Sequence, residues 1–236
     1  LIYVSKNDVK LKIDWASHES AKYACEHWHY SKCIPKSKLA KIGVWEDGKF
    51  IGVVIFGVGA NNNMLKPFGY NPDEGCELVR VALRNHNNYV TRIISLSIKF
   101  LKKNMPKLKM IVSYADPNEG HIGGIYQGGN WIYTGVTDNS KFPIINGKVT
   151  HPRTLSLMVK SGKIKSRSEI EYVDKIGKHR YVMPLYKDVR KGLLKYSKPY
   201  PKKTCPIGVT GNTSDSQSED GGSNPTVGLS SKITNG

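Results

Sequence analysis

A short apolar run, Met110 to Tyr114, ends at Asp116-Pro117 and gives way to glycines at 120, 123 and 124. The run reads as a buried strand. Proline cannot donate to a ladder and biases Asp116 away from helix, so the strand must stop there. Beyond the turn, Ile122, Ile125 and Tyr126 fall at i, i+3 and i+4, the spacing of one helix face. A buried strand that passes through a turn into a helix belongs to an α/β sheet. Such sheets place their chemistry at the carboxyl ends of the strands, where the layers open. Ser113, Asp116, His121 and Tyr126 crowd that junction. A plain polar turn capped by Asp116 accounts for the same residues, and both readings stay open on this stretch alone.

The rest of the chain supports the sheet. Leu11 and Ile13 alternate with lysines in an edge-strand pattern. Ser17 stands as an N-cap, and Ala21, Ala24, Cys25 and Trp28 follow at helical spacing, predicting a helix over 18–30. Ile42–Trp45 and Phe50–Val58 flank Asp47-Gly48, a hairpin signal. Cys76 to Leu83 reads as a strand with Glu77, Val79, Val81 and Leu83 on one face. Glu77 and Arg80 are charges inside that apolar run, to be explained by a function or by an edge position. Val90, Ile93, Ile94, Ile98 and Leu101 form a clean helical stripe that Pro106 terminates. Trp131 to Val136 completes a mixed central sheet flanked by helices. Ser156–Val159 and Arg180–Tyr186 read as short strands within a markedly basic region over 150–203, of which 161–203 is expected to form an extension. From 204 onward Gly, Ser, Asn and Thr dominate and aromatics vanish, the composition of a disordered tail. The expected layout is a catalytic domain over 1–160, the extension packed on it, and the tail.

Charge narrows the partners. The chain carries 36 lysines and arginines against 19 acidic residues, a net +17. Such a field favours polyanions. No apolar run is long enough to span a bilayer, so a membrane is excluded as partner and nucleic acid favoured. Four cysteines (Cys25, Cys33, Cys76, Cys205) without CxxC pairing point to a reducing cytoplasm and away from a zinc knuckle.

Several motifs together resemble the Mom family of phage DNA-modification proteins. They are Ser113-Tyr-Ala-Asp116, Gly120-His121-x-Gly-Gly-Ile-Tyr126-Gln127, Trp131-Ile-Tyr-Thr-Gly135, His29-Tyr30-Ser31, Glu77-Leu-Val-Arg80 and His151-Pro-Arg153-Thr-Leu. The resemblance spans roughly residues 20–160. It implies a GNAT-like acyltransferase fold and conversion of adenine in DNA to an N6-carbamoylmethyl derivative, which shields phage DNA from restriction. One departure from ordinary GNAT enzymes matters. They place a glycine-rich turn before the helix that follows the central strand, where backbone N–H groups cradle the CoA pyrophosphate. Here that place is Arg84-Asn-His-Asn-Asn-Tyr-Val-Thr91, without glycine. Acetyl-CoA is therefore not inherited from the fold, and the donor stays open.

Adenine N6 is a poor nucleophile because its lone pair is delocalised into the ring. An enzyme acting on it needs the base out of the stack, its edge hydrogen-bonded and an acceptor for an N6 proton. Asp116 is the candidate to hold or deprotonate the amine. His29, Tyr30, Ser113 and Tyr126 are candidates for acid–base work or hydrogen bonding. Glu77, Arg80, His121, Gln127 and Trp28 are candidates for substrate or donor contact. Arg153, Arg167, Arg180 and Arg190 sit among lysines and tyrosines and suit the phosphates of double-stranded DNA. His27 and His29 point about 200° apart on a helix, so one ion cannot easily take both; iron stays open through the resemblance alone. Two other functions fit parts of the pattern. A GNAT-like acyltransferase on a protein, tRNA or small amine is one, and a non-catalytic nucleic-acid-binding protein is the other.

Overall fold

The computed structural model describes residues 1–202 apart from 7, 8, 60, 62, 165 and 169. The tail expected over 204–236 lies outside the described residues. The chain opens with two strands, β1 (Ile2–Lys6) and β2 (Val9–Trp15), followed by helix α1 (His18–Trp28). Ser17 caps α1 as its sequence suggests, its side chain accepting from Ser20 N at 3.1 Å. The helix ends two residues before the expected position because His29 turns extended, with φ −115° and ψ 139°. Strands β3 (Leu39–Glu46) and β4 (Lys49–Gly57) form the expected hairpin. Asp47 and Gly48 take positive φ values of 49° and 80°, which a two-residue turn between twisted strands demands.

Strand β5 (Gly75–Leu83), helix α2 (Val90–Asn104) and strand β6 (Met110–Ala115) make a βαβ crossover. Helix α3 (Gly124–Gly128) and strand β7 (Ile132–Val136) follow. Then come β8 (Ser140–Ile145), β9 (Lys148–Val149), α4 (Pro152–Lys160), β10 (Tyr172–Lys175), β11 (His179–Pro184) and α5 (Lys187–Leu193). The main sheet runs β1-β2-β3-β4-β5-β6-β11-β7, and only the β5–β6 pair is parallel. A small sheet, β10-β8-β9, stands apart from it.

Helices cover both faces. The stripe Ile93, Ile94, Ile98 and Leu101 of α2 buries against Ile13, Ile42, Val54, Leu78 and Ile111. On the other face α1 covers Val53, Ile55 and Ala82, while α5 with Leu65 and Phe68 covers Met110, Val112 and Val182. Each such aliphatic side chain contributes about 1.5–3 kcal/mol of transfer free energy.

Four sequence expectations change. Ser156–Val159 is not a strand but part of α4. His151 caps that helix by accepting from Arg153 N, Pro152 sits at its first position, and Leu155 is buried. The strict alternation expected on β5 breaks at Val79. Ile55 pairs with Arg80 and Phe56 with Leu78, so Val79 is an extra, bulged residue. Cys76 and Leu78 therefore share the α2 face with Val81 and Leu83, while Ala82 turns to α1. An edge position no longer explains Glu77 and Arg80, because β5 lies inside the sheet. Finally, residue 160 is not a structural boundary: β11 inserts between β6 and β7, so the basic extension supplies an inner strand of the main sheet.

Candidate active site

The parallel ladder between β5 and β6 lasts for only three pairs, Gly75↔Met110, Cys76↔Ile111 and Glu77↔Val112. Beyond Glu77 the bulge at Val79 bends β5 away and the strands part. A cleft of about 620 Å³ fills the gap. Its walls are Glu77 to Val81 of β5, Tyr114 to Asp116 at the end of β6, Gly120 to Tyr126 of the turn and α3, and Trp28 to Tyr30 after α1. The organising turn of the sequence thus becomes one wall of a real cavity.

Ser113 sits at the apex of the split, fully buried. Its Oγ donates to the Leu78 carbonyl at 2.9 Å and lies 2.7 Å from the Tyr126 hydroxyl. Each hydroxyl has one proton, so both contacts are satisfied when Tyr126 O–H donates to Ser113 Oγ. The pair stitches β6, the carbonyl edge of β5 and α3 together where backbone pairing has failed. Burial pushes the Tyr126 phenol up to about 12, so it keeps its proton at neutral pH. Ser113 is not among the residues lining the cleft. These two hydroxyls position the walls.

Asp116 caps the 3-10 turn Pro117–Glu119, accepting from Asn118 N at 3.0 Å and Asn118 Nδ2 at 2.8 Å on Oδ1. Lys178, arriving just before β11, contacts Oδ2 at 3.0 Å. Burial would raise this carboxyl's pKa. The hydrogen bonds from Asn118 and Lys178, with the ammonium charge, outweigh it and the net shift is downward. Asp116 is therefore a carboxylate at neutral pH, a good hydrogen-bond acceptor and a weak base. Nothing in the sequence pattern marks Lys178 as its partner.

His29 is nearly buried, and its Nδ1 accepts the Ser31 N–H at 3.1 Å. That bond assigns the proton of the neutral ring to Nε2. Burial, then the charges of Arg80, His121 and Lys32, push its pKa down to about 4. A neutral imidazole with a free Nε2–H offers a hydrogen bond to a substrate in the cleft. Tyr30 stacks obliquely on His29 at 4.3 Å between centroids and lies 5.5 Å from His121, and both Tyr30 and His121 are exposed at the mouth. Arg80 donates from Nη1 to the Val79 carbonyl at 2.8 Å, while its Nε is buried with no partner among the described residues.

The remaining predicted residues divide. Trp28 lines the cleft and also a neighbouring pocket of about 680 Å³ formed with Leu83, Arg84, Asn85 and His86. Gln127 does not line the cleft; its Nε2 donates to Ile122 O, Tyr181 OH and Pro201 O and ties α3 to the rest of the chain. Arg153 and Arg167 are exposed, on α4 and the loop after it. Arg180 donates from Nε to Thr134 Oγ1 at 2.9 Å and covers the Phe68 ring, and Arg190 grips Asn130 through Nη1 and Nη2. Both are engaged in holding the fold. Sequence reasoning also missed Tyr181, whose buried ring packs under Gly123 and whose hydroxyl donates to the Ile122 carbonyl.

In ordinary acyl-CoA enzymes the loop before this helix cradles the pyrophosphate with its backbone amides. Here two consecutive amides of that loop are already taken. Glu46, at the end of β3, accepts from Asn87 N at 2.9 Å on Oε2 and from Asn88 N at 3.0 Å on Oε1. The residues present do not fit a bound pyrophosphate there. Among the described residues, no group of three or more His, Cys, Asp or Glu side chains is placed to hold a metal ion. Among them, too, no helix is long and apolar enough to cross a membrane.

A family model described as the Mom protein family matches residues 10–202. The chain belongs to the Mom protein family. Within it, the methylcarbamoylase mom of Escherichia phage Mu is 26% identical over 204 residues, covering 82% of this chain and 84% of that protein. Among solved structures, a probable acetyltransferase from Staphylococcus epidermidis is similar with TM-score 0.44 and 8% identity, over 75% of this chain and 99% of that chain. An aminoglycoside acetyltransferase in complex with coenzyme A and kanamycin is similar with TM-score 0.45 and 10% identity, over 78% and 98%. In this chain the motif residues His29, Tyr30, Glu77, Arg80, Asp116, His121 and Tyr126 line one cleft, with Ser113 at its apex and Gln127 behind α3, while the motifs at 131–135 and 151–155 lie on β7 and α4 outside its lining.

Proposed function

We infer that this chain is a DNA-modifying transferase that attaches a carbamoylmethyl group to adenine N6 and thereby shields phage DNA from restriction. The observation that carries the reading is the cleft at the β5–β6 split. Its volume lies within the roughly 300–1,000 Å³ typical of small-molecule sites. Aromatic rings of Trp28, Tyr30 and Tyr114 line it beside the carboxyl groups of Asp116 and Glu77. Membership of the Mom family supports directing that geometry to DNA, and the name of the phage Mu relative, a methylcarbamoylase, supports the kind of group transferred.

The chemistry follows from the side chains. Extracting a base from the duplex costs a few kcal/mol, and stacking against aromatic rings recovers part of it. Asp116 accepts a hydrogen bond from the N6 amino group, which localises the nitrogen lone pair and aims it at the donor. As the N6–CH2 bond forms, the bond from that carbon to the donor's carrier breaks, its electron pair leaves with the carrier, and the N6 proton passes by way of Asp116 to the departing carrier or to solvent. Asn118 and Lys178 keep Asp116 ionised. His29 Nε2–H and Arg80 offer hydrogen bonds to the carbonyl of the transferred group. Glu77 and His121 complete the wall. Arg153 and Arg167 contact phosphates of double-stranded DNA in the host cytoplasm.

The test is nucleoside mass spectrometry on DNA from cells expressing the protein beside an Asp116→Asn control. The expected result is an adenine species carrying the carbamoylmethyl mass, absent from the control, with DNA binding retained in both. Unmodified DNA with soluble protein, together with acyl transfer to a small amine, would overturn the reading in favour of an ordinary N-acyltransferase.

A further inference from the structure

We propose that Glu46 is a built-in anion occupying the phosphate position at the amino end of α2, so that the donor arrives on a carrier that leaves no pyrophosphate there. The donor wording rests on the transferase reading above; the exclusion of pyrophosphate does not. A helix of this length, entered from a sheet strand, presents unpaired N–H groups and the positive end of its dipole. In α/β sheets that is where phosphates settle. Helix α2 brings little of its own to neutralise it. There is no acidic residue in the first turn, and Tyr89 at the N-cap makes no side-chain capping bond.

The carboxylate comes instead from across the sheet. Glu46 lies 41 and 42 residues before its partners. Its two oxygens take the two consecutive backbone N–H groups of Asn87 and Asn88, one each, as two oxygens of a phosphate would. Both asparagine side chains reinforce the grip, with Nδ2 of Asn88 donating to Oε1 at 2.6 Å and Nδ2 of Asn87 to Oε2 at 3.3 Å. Asn88 is itself fixed, its Oδ1 accepting from Arg92 at 2.5 Å. Glu46 is 6% exposed, and its backbone is held by pairing with Lys49 across the tight Asp47-Gly48 turn. The neighbouring 680 Å³ pocket shows that space is available beside the loop. Exclusion is thus a matter of two occupied donors just before the helix and of like charge, rather than of steric closure.

The experiment titrates inorganic pyrophosphate and, separately, CoA into the full chain while following the Asn87 and Asn88 amide resonances and the heat of binding. For the wild type, neither ligand moves those two amides at millimolar concentration. In Glu46→Ala, both N–H groups are released, and pyrophosphate binds at least tenfold more tightly and shifts both resonances. Glu46→Gln keeps the shape and one acceptor, and serves if the alanine variant does not fold; it shows a smaller gain in the same direction. Wild-type binding of CoA that shifts Asn87 and Asn88 would overturn the proposal. So would a folded variant of either kind that gains no pyrophosphate affinity, which would make Glu46 a cap of the loop and nothing more. Because the readout is binding, its outcome stands whether or not DNA is found modified.

Discussion

Replacing Ser113 should cost more than trimming the much larger Tyr126, and the two changes should be far from additive. Ser113 Oγ bridges the Leu78 carbonyl and the Tyr126 hydroxyl in a fully buried position. Ser113→Ala strips both partners at once. A buried polar group left unpaired costs about 1–3 kcal/mol, so the single change costs about 3 kcal/mol. Tyr126→Phe removes one incoming donor but leaves Ser113 bonded to Leu78, a loss of about 1 kcal/mol. In the double variant only the Leu78 carbonyl remains stranded, for about 2 kcal/mol. The sum of the singles exceeds the double by about 2 kcal/mol, a coupling typical of residues in one network. Urea unfolding of the four proteins measures the cycle, with a constant slope as the check that the unfolded state is unchanged. Nucleoside analysis adds a second reading, because Tyr126→Phe should retain adenine modification. Additive losses, or a Tyr126→Phe enzyme that is stable yet inactive, would refute the positioning role and return the phenol to the chemistry.

Three further outcomes follow from the same structure. With its pKa pushed down to about 4, His29 binds fewer protons than the unfolded chain below about pH 6.5, so stability falls as pH drops through that window. The loss at pH 5 relative to pH 7.5 is about 2 kcal/mol and should shrink markedly in His29→Asn, as urea midpoints at the two pH values will show. Gly123 and Gly120 both sit at positive φ, 83° and 72°, but a Cβ on Gly123 would strike the Tyr181 ring whereas one on Gly120 meets open space. Gly120→Ala should cost about 1–2 kcal/mol and Gly123→Ala about 2–4 kcal/mol, read from thermal unfolding; equal losses would deny the clash. Removing both Arg153 and Arg167 should lower the log–log salt slope of DNA binding by about 2, whereas Arg190→Ala should lower stability with little change of slope.

Much of the frame was legible because it is written in short-range pattern. The stripe of α2, the Ser17 cap, the Asp47-Gly48 hairpin and the β6–turn–α3 junction each depend on residues a few positions apart. The Ser156–Val159 stretch failed as a strand because its apolar residues fit both periods, and His151-Pro152, which decides for helix, went unread. The β5 alternation failed because a bulge is set by the partner strand: Val79 is extra only relative to the Ile55–Phe56 step of β4.

The candidate site divides along the same line. The sequence by itself determined which chemical groups gather near the end of β6: Asp116, His121 and Tyr126 follow one strand and one turn. It also determined that the chain carries the motifs of the Mom family. Only the tertiary structure decided what those groups do. Asp116 is held ionised by Asn118 and Lys178, and Tyr126 is tied to Ser113. Arg180 and Arg190 bond to Thr134 and Asn130, and Glu46 holds the Asn87 and Asn88 amides just before α2. The reason is physical. A pKa, a saturated donor or a cleft depends on atoms that meet across tens of residues of chain, and those meetings are fixed by strand order and register. A period of two or of 3.6 says which face a residue takes, and nothing about who stands opposite.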